Sequence, residues 1–144
     1  MTGPVFVDTN VFIYALDAAD LDKQRAARAW RAWLWRTRQG RVSYQVLQEF
    51  YVRVTQKAPA AKAAARSEVR DLLAWRPIPV NAQLLDRGFA VQDRYRLSFW
   101  DALIAAAAQI GRCRYLLTED LQHGQDLGGV TVASPFRVEP PSLA

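Results

Sequence analysis

Four carboxylates are placed where they could do chemistry together: Asp8, Glu49, Asp101 and Asp120. Asp8 ends the β-favouring apolar run Pro4-Val5-Phe6-Val7 and opens the cluster Asp8-Thr9-Asn10. Glu49 lies in Gln48-Glu49-Phe50, Asp101 in Ser98-Phe99-Trp100-Asp101-Ala102, and Asp120 in Thr118-Glu119-Asp120. Carboxylates are hard oxygen ligands that favour Mg2+ or Mn2+ over zinc. One cysteine (Cys113) and one histidine (His123) cannot build a thiolate or imidazole cluster. Two divalent ions about 4 Å apart activate a water on one side of a phosphodiester and stabilise the leaving oxygen on the other, so no protein nucleophile is required.

Each acid also has an ordinary use. Asp8, Thr9 or Asn10 can cap the helix that follows. Gln45, Glu49 and Arg53 share one helical row, so Glu49 can pair with Arg53 at the surface, although Val46, Phe50 and Val54 beside that row set Glu49 at the rim of a buried face. Ser98 and Asp101 have the spacing of a capping box. Asp120 suits a turn, and Glu119 next to it competes for the same role. Four acids brought to one place by different elements repel one another unless a cation joins them. Jointly, the metal reading is stronger than the four separate ones.

The elements that must carry these acids alternate along the chain. A strand ending at Val7 leads to a short helix over 11–16, a polar turn over 17–22 and a longer helix over 23–38, with Gly40 as its C-cap. A strand over 41–44 precedes a helix over 45–56; an Ala-rich helix spans 60–75, with Pro59 at its start and Pro77 after it. Residues 78–80 are a brief strand that Pro79 confines to a sheet edge. Helices follow over 81 or 82 to 95 and over 99–110. The second has no polar face between Ala102 and Ala108, which predicts burial in the middle of the fold. A strand over 114–117, a loop over 122–129 and a last strand over 130–132 complete the pattern. Alternation of this kind predicts an α/β fold, a three-layer α/β/α sandwich around a mainly parallel sheet of five short strands, with six or seven helices. In such sheets ligands sit beyond the carboxyl ends of the strands, where the four acids fall.

At 144 residues and 51% hydrophobic the chain suits one domain with a genuine core. No apolar run reaches transmembrane length, and the first apolar segment, broken by Asp8 and Asn10, lacks a basic leader, so a cytoplasmic location with no membrane contact is expected. Net charge is +5. If four of the 14 acids gather in one pocket, the 19 Lys and Arg outnumber the rest nearly two to one. Metal ions below and a polyanion above would suit that distribution.

Taken together, the four acidic motifs resemble those of PIN domains, and more narrowly those of VapC-type toxins of bacterial type II toxin–antitoxin systems. The resemblance covers nearly the whole chain, and all four motifs agree in order and spacing. It implies a Mg2+- or Mn2+-dependent endoribonuclease, with residues 1–134 as a PIN-like catalytic domain and 135–144 as an irregular C-terminal tail. It implies metal ligands at Asp8 and Asp101, a second acid at Glu49 and a last one at Asp120, with Glu119 left as the competitor. Asn10 and Thr118 match positions that orient ligands or water through hydrogen bonds. It further implies an RNA substrate, a homodimer and a cognate antitoxin whose C-terminal segment lies across the toxin.

The stripe Trp30, Trp33 and Leu34 either fills the core or forms an apolar groove for an antitoxin helix, while Trp35 points away from it. His123 and Gln125 are candidate RNA contacts in the loop beyond Asp120, against an ordinary solvated loop. Two other functions compete: a non-catalytic PIN-like module that binds RNA or protein, and an aspartate-based phosphatase. The second requires another Asp two residues after the first, and Asn10 stands there.

Overall fold

A computed structural model describes residues 3–140. The strand Val5–Val7 (β1) is buried throughout and pairs in parallel with Gly40–Arg41 (β2) on one side and Tyr115–Leu117 (β3) on the other. Asp126–Leu127 (β4) and Val130–Ala133 (β5) form an antiparallel hairpin, and β5 runs parallel to β3. The sheet order is therefore β2-β1-β3-β5-β4. Helices Thr9–Leu16 (α1), Leu21–Thr37 (α2), Tyr44–Lys57 (α3), Lys62–Leu72 (α4), Ala82–Tyr95 (α5) and Phe99–Ile110 (α6) cover it, giving the expected α/β/α sandwich.

Short polar side chains start these helices. Asp8, Asp20, Ser43, Asn81 and Ser98 each accept a hydrogen bond from a first-turn N–H of the helix they precede, satisfying donors that have no partner within the helix. Because Asp8 and Asp20 cap, α1 begins at Thr9 and α2 at Leu21, earlier than the apolar periodicity predicts. Residues 102–108 of α6 are all buried, as their composition requires. No helix of the described residues is long and apolar enough to cross a membrane.

Several expectations are corrected. Arg38, in the left-handed region at φ 59°, ends α2; Gly40 instead starts β2, where a Cβ would lie 2.5 Å from the Trp75 ring. The predicted 60–75 helix is interrupted at both ends by 3₁₀ turns, Pro59–Ala61 and Leu73–Trp75. Of residues 78–80 only Ile78, flanked by Pro77 and Pro79, makes a bridge, parallel to Ser43. Conversely, the 122–129 loop contains β4, closed onto β5 by Gly128 and Gly129, both at positive φ as a tight hairpin turn demands.

The stripe on α2 is core. Trp30 and Leu34 are fully buried, and Trp33 is half-buried with its ring edge-on to Trp30. The Trp30 indole N–H donates to the Val138 carbonyl at 3.1 Å, which ties the C-terminal segment to Trp30. Trp30, Trp33 and Leu34 thus do not form an open antitoxin groove. Trp35, by contrast, is 43% exposed, as its position off the stripe predicts.

Candidate active site

Asp8 is the first residue beyond β1. Its N–H donates to the Leu117 carbonyl at 3.0 Å, which fixes it to the end of β3. The residue is only 6% exposed. One carboxylate oxygen accepts the Thr9 N–H at 2.7 Å and the other accepts the Thr118 hydroxyl at 2.9 Å. Capping and site-building are therefore one arrangement.

Thr118, just past β3, is a hub. Its hydroxyl donates to Asp8 and accepts from Asn10 Nδ2 and from the Asp120 N–H, both at 3.1 Å, which uses everything a hydroxyl offers. Asn10 Nδ2 also donates to Asp120 Oδ2 at 3.1 Å. As a donor in both contacts, Asn10 cannot supply the acid/base carboxyl of an aspartate-based phosphatase. Asn10 Oδ1, buried, has no partner among the described residues.

Glu49 arrives from α3. Its oxygens accept the Thr9 hydroxyl at 3.1 Å and Gln45 Nε2 at 2.9 Å, and Arg53 stands 3.8 Å away. The pair with Arg53 exists, but Thr9 and Gln45 aim the carboxylate inward. Asp101, in the first turn of α6, donates its N–H to Ser98 Oγ at 3.1 Å, so the capping spacing is also real. Asp8, Glu49, Asp101 and Asp120 line one cavity of about 410 Å3, together with Gln45, Gln48, Arg53, Trp100 and Ile104.

Glu119 does not belong to that cavity. Its oxygens accept the Tyr14 hydroxyl at 2.6 Å and Lys23 Nζ at 3.0 Å. The same ammonium lies 4.9 Å from the Tyr14 ring centroid and 5.0 Å from that of Phe136. Adjacent acids thus turn to opposite sides: Glu119 ties α1, α2 and the C-terminal segment together, and Asp120 faces the cavity. His123 and Gln125 line none of it. His123 Nδ1 accepts the Ser134 N–H at 3.0 Å, and the Gln125 carbonyl accepts the Val132 N–H at 2.9 Å; both contacts fasten the loop to the end of the sheet.

The cavity is short of positive charge. Burial pushes the Asp8 carboxyl up to about 6, against the hydrogen bonds from Thr118 and the Thr9 N–H, and the charges of Asp120 and Glu49 push it the same way. Asp101 is raised for the same first reason, partly offset by Ser98, with Asp120 and Glu49 adding to the rise. Among the described residues, no group of three or more acidic, His or Cys side chains is set to hold a metal ion by itself. Mg2+ does not ask for that: it commonly takes one or two carboxylates and completes its shell with water and substrate phosphate. Spread carboxylates around an open cavity fit such a hydrated cation.

Sequence reasoning placed Thr9 beside Asp8 but missed its bond to Glu49, and it missed Tyr14 and Lys23; these roles depend on partners far along the chain. It also missed Trp100, which stands 63% exposed at the cavity rim. Only the run of aromatic residues before Asp101 hinted at it.

The sequence profile of the PIN domain matches residues 5–125. The chain belongs to the PIN domain family. No curated protein matches it. Among solved structures, this PIN domain is similar to a toxin–antitoxin complex from Klebsiella pneumoniae, at 23% identity and a TM-score of 0.65, covering 91% of this chain and 97% of that one. It is similar to the sarcin–ricin-loop-cleaving toxin VapC20 of Mycobacterium tuberculosis, at 23% identity and a TM-score of 0.60, covering 78% and 86%. A DNA-bound VapBC from Salmonella typhimurium matches at 14% identity and a TM-score of 0.65, covering 93% and 99%. At such identities the likeness is one of fold.

In this PIN domain the two neighbouring acids separate by mutation. Glu119→Gln weakens an ion pair that solvent already reaches and is expected to cost no more than about 1 kcal/mol of stability, with any nuclease activity unchanged. Asp120→Asn is expected to lower cleavage by about a hundredfold with the fold intact, about 3 kcal/mol in the barrier. Thermal melts beside single-turnover assays check both; equal losses in the two variants would show that the assignment of Asp120 is wrong.

Proposed function

We propose that the chain is a divalent-metal-dependent endoribonuclease, acting in the cytoplasm as the toxin of a toxin–antitoxin pair. One observation carries the reading: α3, α6 and the ends of β1 and β3 deliver four carboxylates to a single cavity at the carboxyl edge of the sheet. Similarity to toxin–antitoxin complexes and to a toxin that cleaves the sarcin–ricin loop supports RNA as substrate and an antitoxin as partner. The proposed assembly is a homodimer, on family resemblance.

Asp8, Asp101 and Asp120 would hold the cation, Mg2+ or Mn2+, with Glu49 binding it or orienting the attacking water. When bound, the metal supplies a nucleophilic water at neutral pH and charge stabilisation for the leaving oxygen. The chain's own residues prepare that event. Thr118 holds Asp8 by its hydroxyl, Asn10 holds Asp120 through its amide N–H, and Thr9 with Gln45 fixes Glu49. Trp100 presents an open ring at the rim, on which an unstacked base can lie.

The test is cleavage of a structured RNA by antitoxin-free protein with Mg2+ or Mn2+, against the same reaction in EDTA. Metal-dependent endonucleolytic cuts, silenced by the antitoxin, are expected. An intact substrate with both metals would instead favour a PIN-like module that binds RNA or protein without cutting.

A further inference from the structure

At the opposite edge of the sheet lies a second cavity, of about 430 Å3, with an inverse chemistry. Arg38, Arg41 and Arg76 surround it, and Trp35 and Trp75 form its wall. Gly40 is paired with Val5 at the start of β1, so this cavity is set about 10 Å back along the strand direction from Asp8. No carboxylate is among its lining residues. Among the described residues none of the three guanidinium groups has an ion-pair partner; Arg41 only donates to the Arg38 and Gly40 carbonyls. Three like charges around one cavity repel, as four carboxylates do, unless an anion joins them.

The backbone sets where these side chains start. Arg38 and Arg76 both lie in the left-handed region, at φ 59° and 53°, as do Arg96 and Arg112 at other helix ends. Glycine occupies that conformation without the steric penalty an L side chain incurs. A cation near a helix C-terminus is favourable, but Arg36 already fills that role in the last turn of α2. Two of the four left-handed arginines thus face one cavity. The tryptophan rings, 6.2 Å apart and inclined at 37°, are kept close by the missing side chain of Gly40.

The acidic cavity cannot grip a polyanion alone. Its one lining cation is Arg53, which is engaged with Glu49. Backbone phosphates must be held by cations elsewhere on the surface. We infer that the cavity of Arg38, Arg41 and Arg76 binds a phosphodiester segment of RNA away from the scissile bond, its guanidinium groups on phosphate and the Trp35 edge against ribose or base. Planar guanidinium forks suit phosphate in particular. This rests on the ribonuclease reading above and adds a second place where the substrate is held.

The glycine-compatible backbone provides a clean test. Arg38→Gly combined with Arg76→Gly removes two charges and relieves two left-handed residues, so its melting temperature should not fall. The pair Arg38→Asn and Arg76→Asn, also tolerant of that conformation, is the control for local flexibility. Both are made in full-length, antitoxin-free Asp101→Asn protein so that binding is read without cleavage. A labelled single-stranded RNA titrated across a KCl series should bind about tenfold more weakly to each double variant at low salt. The slope of log affinity against log salt should shrink by about 1.4, the share of two phosphate contacts on a single strand. Unchanged affinity and slope overturn the inference. So does equal binding of poly-glutamate through the same arginines, which would make the site one for acidic protein. If wild type cuts RNA while the double variants bind normally, this inference alone fails; if wild type neither binds nor cuts RNA, the ribonuclease reading fails with it.

Discussion

Asp8→Asn is expected to abolish RNA cleavage and, in the same protein, to raise the stability of the metal-free chain at neutral pH. The loss of cleavage should reach about a thousandfold or more, because under the proposed mechanism the substitution removes a negative charge on which a metal worth several kcal/mol would depend. The gain in stability follows from burial. An Asp8 carboxyl that titrates near 6 in the fold but near 3.8 when unfolded costs about 3 kcal/mol once ionised. Asparagine carries no such charge, but it has one oxygen where two donors, the Thr9 N–H and the Thr118 hydroxyl, now find two. One hydrogen bond worth about 1 kcal/mol is lost, leaving a net gain of about 2 kcal/mol.

The pH dependence has a definite sign. Between about 4 and 6 the native chain keeps a proton on Asp8 that the unfolded chain has released, so stability in EDTA falls as pH rises through that window. Above 6 the full cost is present. Asp8→Asn should flatten this decline, and Mg2+ should offset it in wild type. Urea unfolding from pH 4 to 7 in EDTA checks the claim, and parallel curves for wild type and variant would refute it.

Asp101→Asn should match the loss of cleavage, again about a thousandfold, without matching the stability change. Asp101 is half-buried, in the first turn of α6, where the helix N-terminus favours its anion. Solvent screens the effects that raise it, so the change in unfolding free energy should stay within about 1 kcal/mol of zero. Calorimetric titration with Mn2+ should show weakened binding. A variant that still cuts RNA at the wild-type rate would remove Asp101 from the metal centre.

The architecture and the gathering of the acids were legible because both depend on local pattern. Asx and Ser caps, an all-alanine-and-aliphatic helix and apolar runs ending in Asp are visible residue by residue. What the sequence hid depends on distant partners. The α2 stripe reads the same whether a foreign helix or its own chain packs on it, and the carbonyl that accepts its indole N–H, Val138, lies 108 residues from Trp30. Glu119 and Asp120 are adjacent acids that Tyr14 and Lys23, nearly a hundred residues earlier, sort apart. Gly40 was misread as a cap because its real constraint is the Trp75 ring. The Arg38 and Arg76 cavity was invisible for a similar reason, since nothing local marks an arginine that adopts a glycine's backbone.

The hydrogen bond between Asp8 and Thr118 joins residues 110 positions apart. β1, made first, sits between a strand from the first third of the chain and one from the last. A growing polypeptide therefore carries Asp8 and Glu49 long before it holds the hydroxyl that orients one of them. Such long-range pairing is slow to form and is completed as a unit. Until β3 and Thr118 are in place, Asp8 lacks the hydroxyl that orients it, so a fragment ending before β3 leaves the acidic cavity unassembled.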